Sequence, residues 1–257
     1  MNEIRLVTRA DDAGLNPTSN RAIRSAAREG IVRNISLMAP APAIEDAAEV
    51  LLPLGDRVEF GFHVTLTAEW DPVRWGPVRL GIDAPGLLRR DGTFHLQVRE
   101  IAEGNPPVDR IMEEVEAQYG RLKDLGFTLT YLDEHMLVGD VPGLGDQLSR
   151  FAADRGLVCD RDLFHDRRLA LIPGWNGPGE HPGTELADHL SETESGTFLL
   201  FGHPGTKDES MQILRTPGGK PGEVAIRRNR ERRMFMDIEI VDYCQNVGIE
   251  LVRYSNI

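Results

Sequence analysis

The sequence has few cysteines, no long apolar run and no excess of positive charge. There are two cysteines among 257 residues. No segment approaches the roughly 18 consecutive apolar residues that a membrane-spanning helix needs, so we expect no membrane partner. The net charge of −12 would repel a phosphate backbone, so we expect no nucleic-acid partner.

The first residues also lack the basic and then apolar layout of a signal peptide, and a strand pattern begins almost at once. Cys159 and Cys244 each lie in an apolar segment. Without a secretory signal, reduced thiols in a cytoplasm are the default. We therefore predict a cytoplasmic protein in which both thiols are reduced.

The composition is that of an ordinary globular protein with a core. The apolar fraction is 40% and the charged fraction 27%, and both are typical of folded domains. A chain of this length fits one large α/β domain, and α/β barrels often reach this size as a single unit. Because the chain shows no internal repeat and no low-complexity linker, we expect a single domain over residues 1–257.

Short apolar runs alternate with helical patterns along the chain. This alternation predicts βα units and a mainly parallel sheet, and continuous apolar runs are typical of strands covered on both faces. We expect a TIM-like (β/α) barrel, seven-stranded or slightly open, with a flat doubly wound sheet as the alternative. The predicted strands span residues 4–9, 33–38, 58–64, 129–133, 157–159, 197–202 and 249–254.

Apolar residues at helical spacing, bounded by Pro-containing entries and closing glycines, predict five helices. Two long segments, 65–105 and 161–196, fit neither helix nor strand, and loops of such length are usually functional. Trp70 and Trp75 lie in the first of them. Their rings could stack on a sugar or pack into the rim of the barrel. The predicted helices span residues 19–29, 43–52, 108–125, 145–155 and 228–246.

Polar motifs follow four of the predicted strands at the point where each strand ends. In a parallel barrel these ends converge on one face, where active sites are built. A core alone would not repeat this placement four times, although a single histidine in an apolar run is more often a core residue. The four motifs are Asp11-Asp12, His63, Asp133-Glu134-His135 and His203.

Imidazoles and carboxylates are the ligands of catalytic divalent metals, and two imidazoles with one carboxylate leave positions open for water and substrate. Adjacent strand residues point to opposite sides, but a bend past the strand end allows both Asp11 and Asp12 to face the site. One carboxylate could then bind metal while its neighbour accepts a proton. His203 would serve acid catalysis or substrate binding. Zinc and magnesium are the first candidates for the one divalent ion, and other metals fit the ligands too.

The motifs together resemble the YdjC-like family of ChbG/HpnK carbohydrate deacetylases, in the same order and from end to end of the chain. The segments that carry the resemblance are Ala10-Asp11-Asp12-Ala13-Gly14-Leu15, Asn20-Arg21-Ala22-Ile23, Ser36-Leu37-Met38, Gly61-Phe62-His63-Val64-Thr65-Leu66-Thr67, Asp133-Glu134-His135, His203-Pro204-Gly205, Arg230-Glu231 and Gly248-Ile249-Glu250-Leu251. The family usually has further histidines after the third motif, where this chain has Met136-Leu137-Val138-Gly139.

The resemblance implies a barrel that removes N-acetyl groups from amino sugars such as chitooligosaccharide units. By motif position it implies Asp12, His63 and His135 as the metal ligands, and Asp11 as the general base. His203 would then protonate the departing amine or hold the acetyl group.

We predict Trp70, Trp75 and Arg230 as substrate-binding residues, and a small carbohydrate as the partner. Arg230 lies in a basic run, residues 227–233, whose alternative interpretation is the solvated start of a helix. The oligomeric state is left open, a homo-oligomer included.

Three other functions remain open on the sequence. A metal hydrolase of the same fold could act on another amide, an ester or a phosphorus substrate. A glycosidase could use Asp12 with Glu134, which leaves the paired histidines unexplained. A non-catalytic sugar-binding or regulatory relative could retain the barrel without turnover.

Overall fold

The structure, a computed structural model, describes residues 3–257. Met1 and Asn2, the first residues of the expected domain, lie outside the described part of the chain. The described residues form one parallel sheet of eight strands in the order β5-β4-β3-β2-β1-β7-β6, with β8 paired to β1. The strands are β1 (Ile4–Ala13), β2 (Asn34–Leu37), β3 (Glu59–Val64), β4 (Leu129–Glu134), β5 (Val158–Cys159), β6 (Ala170–Leu171), β7 (Gly196–Gly202) and β8 (Glu250–Val252).

All seven predicted strands are present, with ends that differ by a few residues. The sheet curls with helices around it, and β5 and β6 are its two edges, so the expected open barrel is confirmed. The prediction missed β6, a two-residue strand whose Ala170 and Leu171 pair with Phe198 and Leu199 of β7. Two residues are too short for a periodic pattern to reveal.

Ten helices flank the sheet within residues 3–257. The first begins at Pro17, two residues before the predicted start, and the predicted cap region supplies its cap, because the Asn16 side chain accepts a hydrogen bond from the Ser19 amide. The helices are α1 (Pro17–Glu29), α2 (Ile44–Leu51), α3 (Val98–Gly104), α4 (Val108–Asp124), α5 (Leu144–Asp154), α6 (Asp160–His165), α7 (Pro182–Ser191), α8 (Glu209–Gln212), α9 (Glu223–Met236) and α10 (Ile238–Val247).

The prediction of one helix over residues 228–246 was wrong. The helical conformation is interrupted at Asp237, whose backbone angles are φ −59° and ψ 138°, so two helices replace the one predicted. The first of them, α9, begins at Glu223, five residues before the predicted start. The Asp237 carbonyl accepts the first hydrogen bonds of α10 from Ile240 and Val241. Helical spacing continues across the break, and no Gly or Pro marks it, so the sequence pattern does not reveal it.

The two long loops were also predicted wrongly in part. The first contains α3, which begins with a capping box in which Gln97 and Glu100 bind each other's backbone amides. The second contains β6, α7 and most of α6. The Gln97–Glu100 pair is a capping-box pattern that the sequence could have indicated. The other elements are short and lie among Pro and Gly residues, so they show little periodicity.

The inner face of the curled sheet carries a small apolar layer. Tyr131 and Tyr254 stack there with ring centroids 4.1 Å apart, beside Val7, Leu199 and Val252. Gly61 leaves room for them, because a Cβ at Gly61 would lie 2.1 Å from the Tyr131 ring. Since alternate strand residues share a face, the residues two positions further along these strands lie above this layer. Among them, Arg9 and Asp133 form a polar floor of the site.

Within residues 3–257, no helix has both the length and the hydropathy that crossing a bilayer requires. Cys159 and Cys244 are free and buried. Burial raises the pKa of each thiol to about 11, so both are protonated near neutral pH and are poor nucleophiles.

Candidate metal centre

The four polar motifs meet at the carboxyl ends of the strands. Asp12 lies near the end of β1, His63 near the end of β3, and His135 directly after β4, while His203 follows β7. Strand register places His63 opposite Asp133. The convergence expected from the strand ends is therefore present.

Asp12, His63 and His135 form a compact, buried group. One ligand atom from each lies within 4.8 Å of the other two. The Asp12 Oδ1 atom is 3.3 Å from His135 Nδ1 and 3.6 Å from His63 Nε2. All three side chains are buried. The three predicted metal ligands are thus brought together with their nitrogen and oxygen atoms facing a common point.

A local distortion of β1 turns both aspartates towards the site. Asp12 has a left-handed backbone conformation, with φ of 64°, and the register of β1 against β2 shifts between Ala10 and Ala13. Asp adopts this conformation more readily than most residues because its short side chain can bond locally. This bend is the one that allows Asp11 and Asp12 to face the same site despite being adjacent.

Each imidazole is bound to a carboxylate on its far side. His63 Nδ1 lies 2.7 Å from Asp133 Oδ2, and His135 Nε2 lies 2.9 Å from Glu69 Oε2. Such partners hold a ligating histidine in one tautomer and one orientation. In both residues the nitrogen nearer Asp12 is left for a metal.

These carboxylates make the site strongly negative. Burial disfavours the imidazolium, yet Asp133 and Asp12 outweigh it and raise the pKa of His63 to about 10. Burial acts in the same way at His135, where Glu69 and Asp12 raise the pKa to about 9. Burial likewise opposes ionisation of Asp12, but Arg228 and His203 hold its pKa well below the usual range. The site therefore stabilises positive charge at the point that the three ligand atoms share.

One oxygen of the group has no hydrogen-bond donor among the described residues. Asp12 Oδ1 is buried and accepts no hydrogen bond from any described residue. A buried carboxylate oxygen without a partner carries a large desolvation cost. A divalent cation between Asp12, His63 and His135 would satisfy it, and nitrogen and oxygen donors of this kind suit zinc and related metals. The residues present therefore fit a metal ion.

Asp11 is held by an arginine from its own strand. Arg9 Nε donates to Asp11 Oδ1 at 2.7 Å and Nη2 donates to Oδ2 at 3.0 Å. The same guanidinium donates to Asp160 Oδ2 at 2.9 Å and to the Tyr254 hydroxyl at 2.7 Å, and it lies 3.4 Å from Asp133. Asp11, His63 and Asp133 form a second group with metal-ligand spacing, but Arg9 already neutralises its carboxylates.

Helix α9 supplies Glu231 and Arg228, to which the sequence motifs assigned no role in the site. Glu231 accepts hydrogen bonds from the His203 amide at 2.7 Å and pairs with His203 Nδ1 at 3.1 Å. Burial raises the pKa of Glu231, but His203 and Arg228 more than offset this and lower it. A carboxylate on Nδ1 leaves His203 Nε2 as the nitrogen that can exchange a proton. His203 is only partly buried and is reachable from solvent.

Arg228 belongs to the basic run 227–233, which the sequence left as either a solvated helix start or a substrate- or subunit-facing segment. It lies within α9, not at its start, and is 1% exposed. Its Nη2 donates to Asp12 Oδ2 at 2.5 Å, and its guanidinium carbon lies 5.1 Å from the Trp70 ring centroid. The solvated interpretation is wrong for Arg228. The sequence pattern does not show which of the five arginines in this run is buried, so it could not identify Arg228.

The predicted substrate-binding residues lie in different surroundings. Trp70 and Trp75 are 3% and 5% exposed and belong to the apolar core. This burial favours the packing alternative, and sugar stacking on these rings stays a prediction. Arg230 is bound to Glu180. With Trp70 it lines a cavity of about 650 Å³, so its substrate role also stays a prediction.

The segment after the third motif has an unusual backbone as well as side chains that differ from the family pattern. Met136 and Leu137, which stand where the family has a further histidine, both have φ of 56°. Their side chains are exposed. The Asp12, His63 and His135 group does not include either residue. The departure therefore changes the wall beside the site and leaves the candidate ligands in place.

The fold and site define an α/β open-barrel protein with a buried carboxylate and imidazole cluster at the carboxyl ends of its strands. A model of the YdjC-like protein family matches residues 5–246. The chain belongs to this family, as its motifs indicated.

Relatives and a solved structure agree with this membership. A chitooligosaccharide deacetylase of Enterobacter sp. (strain 638) is 31% identical over 223 residues, which cover 80% of this chain and 84% of the relative. A carbohydrate deacetylase of Thermoanaerobacter pseudethanolicus is 24% identical over 258 residues, 97% of this chain and 98% of the relative. A crystal structure from Enterococcus faecalis, of a protein assigned to cellobiose-phosphate cleavage, covers 100% of this chain and 99% of its own, at 20% identity and a TM-score of 0.80. This last likeness shows the fold.

Proposed function

We propose that this protein is a metal-dependent hydrolase that removes an N-acetyl group from an amino sugar or a chitooligosaccharide-like substrate. The observation that carries the proposal is the buried group of Asp12, His63 and His135, in which Asp12 Oδ1 accepts no hydrogen bond from the described residues. Membership of the YdjC-like family and the similarity to proteins named as carbohydrate deacetylases support the choice of reaction.

The chain's own residues divide the work of amide hydrolysis. Asp12, His63 and His135 would hold one divalent ion, with zinc or magnesium as the first candidates. When bound, such an ion polarises an amide carbonyl and lowers the pKa of water towards roughly 7 in favourable sites. Asp11 would accept the proton of the attacking water, a transfer typically worth about 10²–10⁴-fold in rate. Its pairing with Arg9 fixes the carboxylate in position.

His203 would deliver a proton to the departing amine. Glu231 binds its Nδ1 side, which orients Nε2 for the transfer. Arg228 holds the second oxygen of Asp12, so that Oδ1 remains directed at the ion. The products would be acetate and a free amino sugar.

The glycosidase alternative is disfavoured by the surroundings of Glu134. Both of its carboxylate oxygens bind Arg161, at 2.6 and 2.9 Å, and one also accepts from the Gly139 amide. Because both oxygens already accept hydrogen bonds, the Glu134 carboxylate is poorly placed to protonate a leaving group. The predictions of a single domain over residues 1–257, a cytoplasmic location and a small carbohydrate partner accompany the proposed function.

Acetate release from N,N′-diacetylchitobiose, measured with purified protein of known metal content, tests the proposal. We expect turnover with about one divalent ion per chain. We expect His63→Ala and His135→Ala to lose both metal and turnover, while the His165→Ala control, an exposed histidine, keeps both. Full metal content in the two ligand variants would disprove the assignment. A bound ion without turnover on any amide would favour a non-catalytic sugar-binding protein.

A further inference from the structure

An aromatic ring lies exposed at the mouth of the barrel. Phe201 is 43% exposed, and it is the residue of β7 between buried Leu199, which packs in the inner apolar layer, and partly buried His203. Because alternate residues of a strand share a face, Leu199, Phe201 and His203 follow one another up the inner face. Phe201 therefore lies inside the curl of the sheet and not on its outer surface.

The ring is flanked by residues of the proposed reaction. In strand register Phe201 is opposite Arg9, whose guanidinium carbon lies 5.8 Å from the ring centroid. The His203 ring centroid lies 6.1 Å from that of Phe201, with the two planes at 87°. Arg9 holds Asp11, the proposed base, and His203 is the proposed acid. Phe201 thus lies beside Arg9, which positions the proposed base, and beside His203, the proposed acid.

The open edge of the sheet leaves this ring accessible. β6 pairs with β7 only as far as Leu171 and Leu199, so the sheet edge beyond Leu199 has no paired strand among the described residues. Scattered apolar residues on an outer surface are ordinary. The Phe201 ring is different, because it lies beside the buried Arg9 guanidinium and the His203 ring at the end of β7. Trp70 and Trp75, in contrast, have almost no exposed ring face.

We infer that Phe201 is the platform on which a pyranose ring of the substrate stacks, and that it determines the preference for a sugar. This inference rests on the proposed function. The flat apolar face of the ring would contact the C–H face of a sugar, while His203 beside it would present Nε2 to the acetamido group and Arg9 would keep Asp11 in place. Contact of this kind is the same in the ground state and the transition state, so it acts on KM and not on kcat.

The test compares metal-loaded Phe201→Ala, Phe201→Trp and the wild-type chain on N,N′-diacetylchitobiose. We expect about a tenfold rise in KM for Phe201→Ala, equivalent to about 1.4 kcal/mol, with kcat within about twofold of wild type. Phe201→Trp should restore KM. The control is Ile238→Ala, an exposed apolar residue of α10, which should change neither constant. Thermal melts of all variants should coincide, since an exposed ring contributes little packing.

An unchanged KM in Phe201→Ala would overturn the inference. A lowered melting temperature together with a lower kcat and a higher KM would also overturn it, because it would indicate a structural role for the ring. A binding measurement separates this failure from failure of the proposed function. If wild type releases no acetate, the fluorescence of Phe201→Trp can still be titrated with N,N′-diacetylchitobiose. A saturable change that is absent from wild type supports the platform, and no change over the same range overturns it.

Discussion

At the scale of single residues, the candidate metal centre depends on carboxylates outside the proposed ligand set. Asp133 and Glu69 bind the far nitrogens of His63 and His135, and Arg9 in turn lies against Asp133. Because an imidazole can rotate and change tautomer, a fixed partner is what directs its second nitrogen at the ion. Asp133 is therefore expected to act through His63.

Asp133→Asn should weaken metal binding by about 10–100-fold, the usual effect of losing such a partner, while the protein stays folded. Isothermal titration calorimetry of the metal-free protein with zinc measures this affinity directly. Asp166→Asn is the control, because Asp166 is exposed and pairs only with the neighbouring His165. Equal zinc affinity in the two variants would contradict a positioning role for Asp133.

The two adjacent aspartates should respond differently to the same change. Asp12→Asn removes the charged ligand and should lower metal content. Asp11→Asn leaves the three ligands intact and removes the base, so kcat should fall by about 10²–10⁴-fold with the metal retained. Metal analysis and steady-state kinetics on the same preparations compare them. Equal loss of metal from both variants would show that the division of roles is wrong.

At the scale of elements, α9 and the segment after β3 close the site from two sides. α9 presents Arg228 and Glu231 one turn apart, so that one binds Asp12 and the other binds His203. The segment after β3 brings Glu69 to His135 and places Trp70 beneath Arg228. The position of each site residue thus depends on how these two elements pack.

Trp70→Ala and Trp75→Ala should therefore act mainly on stability. Truncation of a buried aromatic typically costs about 3–5 kcal/mol, and both rings are buried in the core. Trp175, which is only partly buried against the same core, should lose less on truncation to Ala. Chemical denaturation and KM measured on all three variants distinguish packing from stacking. A raised KM with unchanged stability in the Trp70 variant would restore the sugar-stacking interpretation.

At the scale of the whole molecule, the open sheet places a cavity next to the metal centre. The cavity has a volume of about 860 Å³, and its wall includes Arg9, Glu134, Leu137 and Phe164. Arg9 supports Asp11, and Glu134 directly precedes His135. A metal ion would bind where several strand ends meet, so it would connect parts of the chain that are distant in sequence.

Metal removal should therefore lower the stability of the whole fold. A ligand that binds only the folded state at about 100 times its Kd stabilises by about 2.7 kcal/mol, which corresponds to roughly 5–10 °C in Tm for a domain of this size. We expect a chelator to lower Tm by about this amount, and added zinc to restore it. The Tm of His63→Ala should not respond to zinc. An equal zinc response in that variant would place the stabilising ion elsewhere.

Much of this architecture was predictable because its signals are local. Strands such as β1 and β3 are continuous apolar runs. The Asn16 side chain caps the start of α1, and Gly30 ends it with a backbone N–H bonded to the Ala26 carbonyl. The aspartate pair and His63 were identifiable because each directly follows or ends a strand. Short elements such as β6, and the break at Asp237, have no such local signal.

The sequence by itself determined the βα order, the open parallel barrel and the convergence of Asp12, His63 and His135, because strand ends in a parallel barrel meet on one face. Only the tertiary structure decided which other residues complete the site. Glu69, Arg228 and Glu231 reach it from a loop and a helix far away in the chain, and burial of Trp70 left Phe201 as the exposed ring. Such contacts depend on packing across the fold, which periodicity along the chain does not encode.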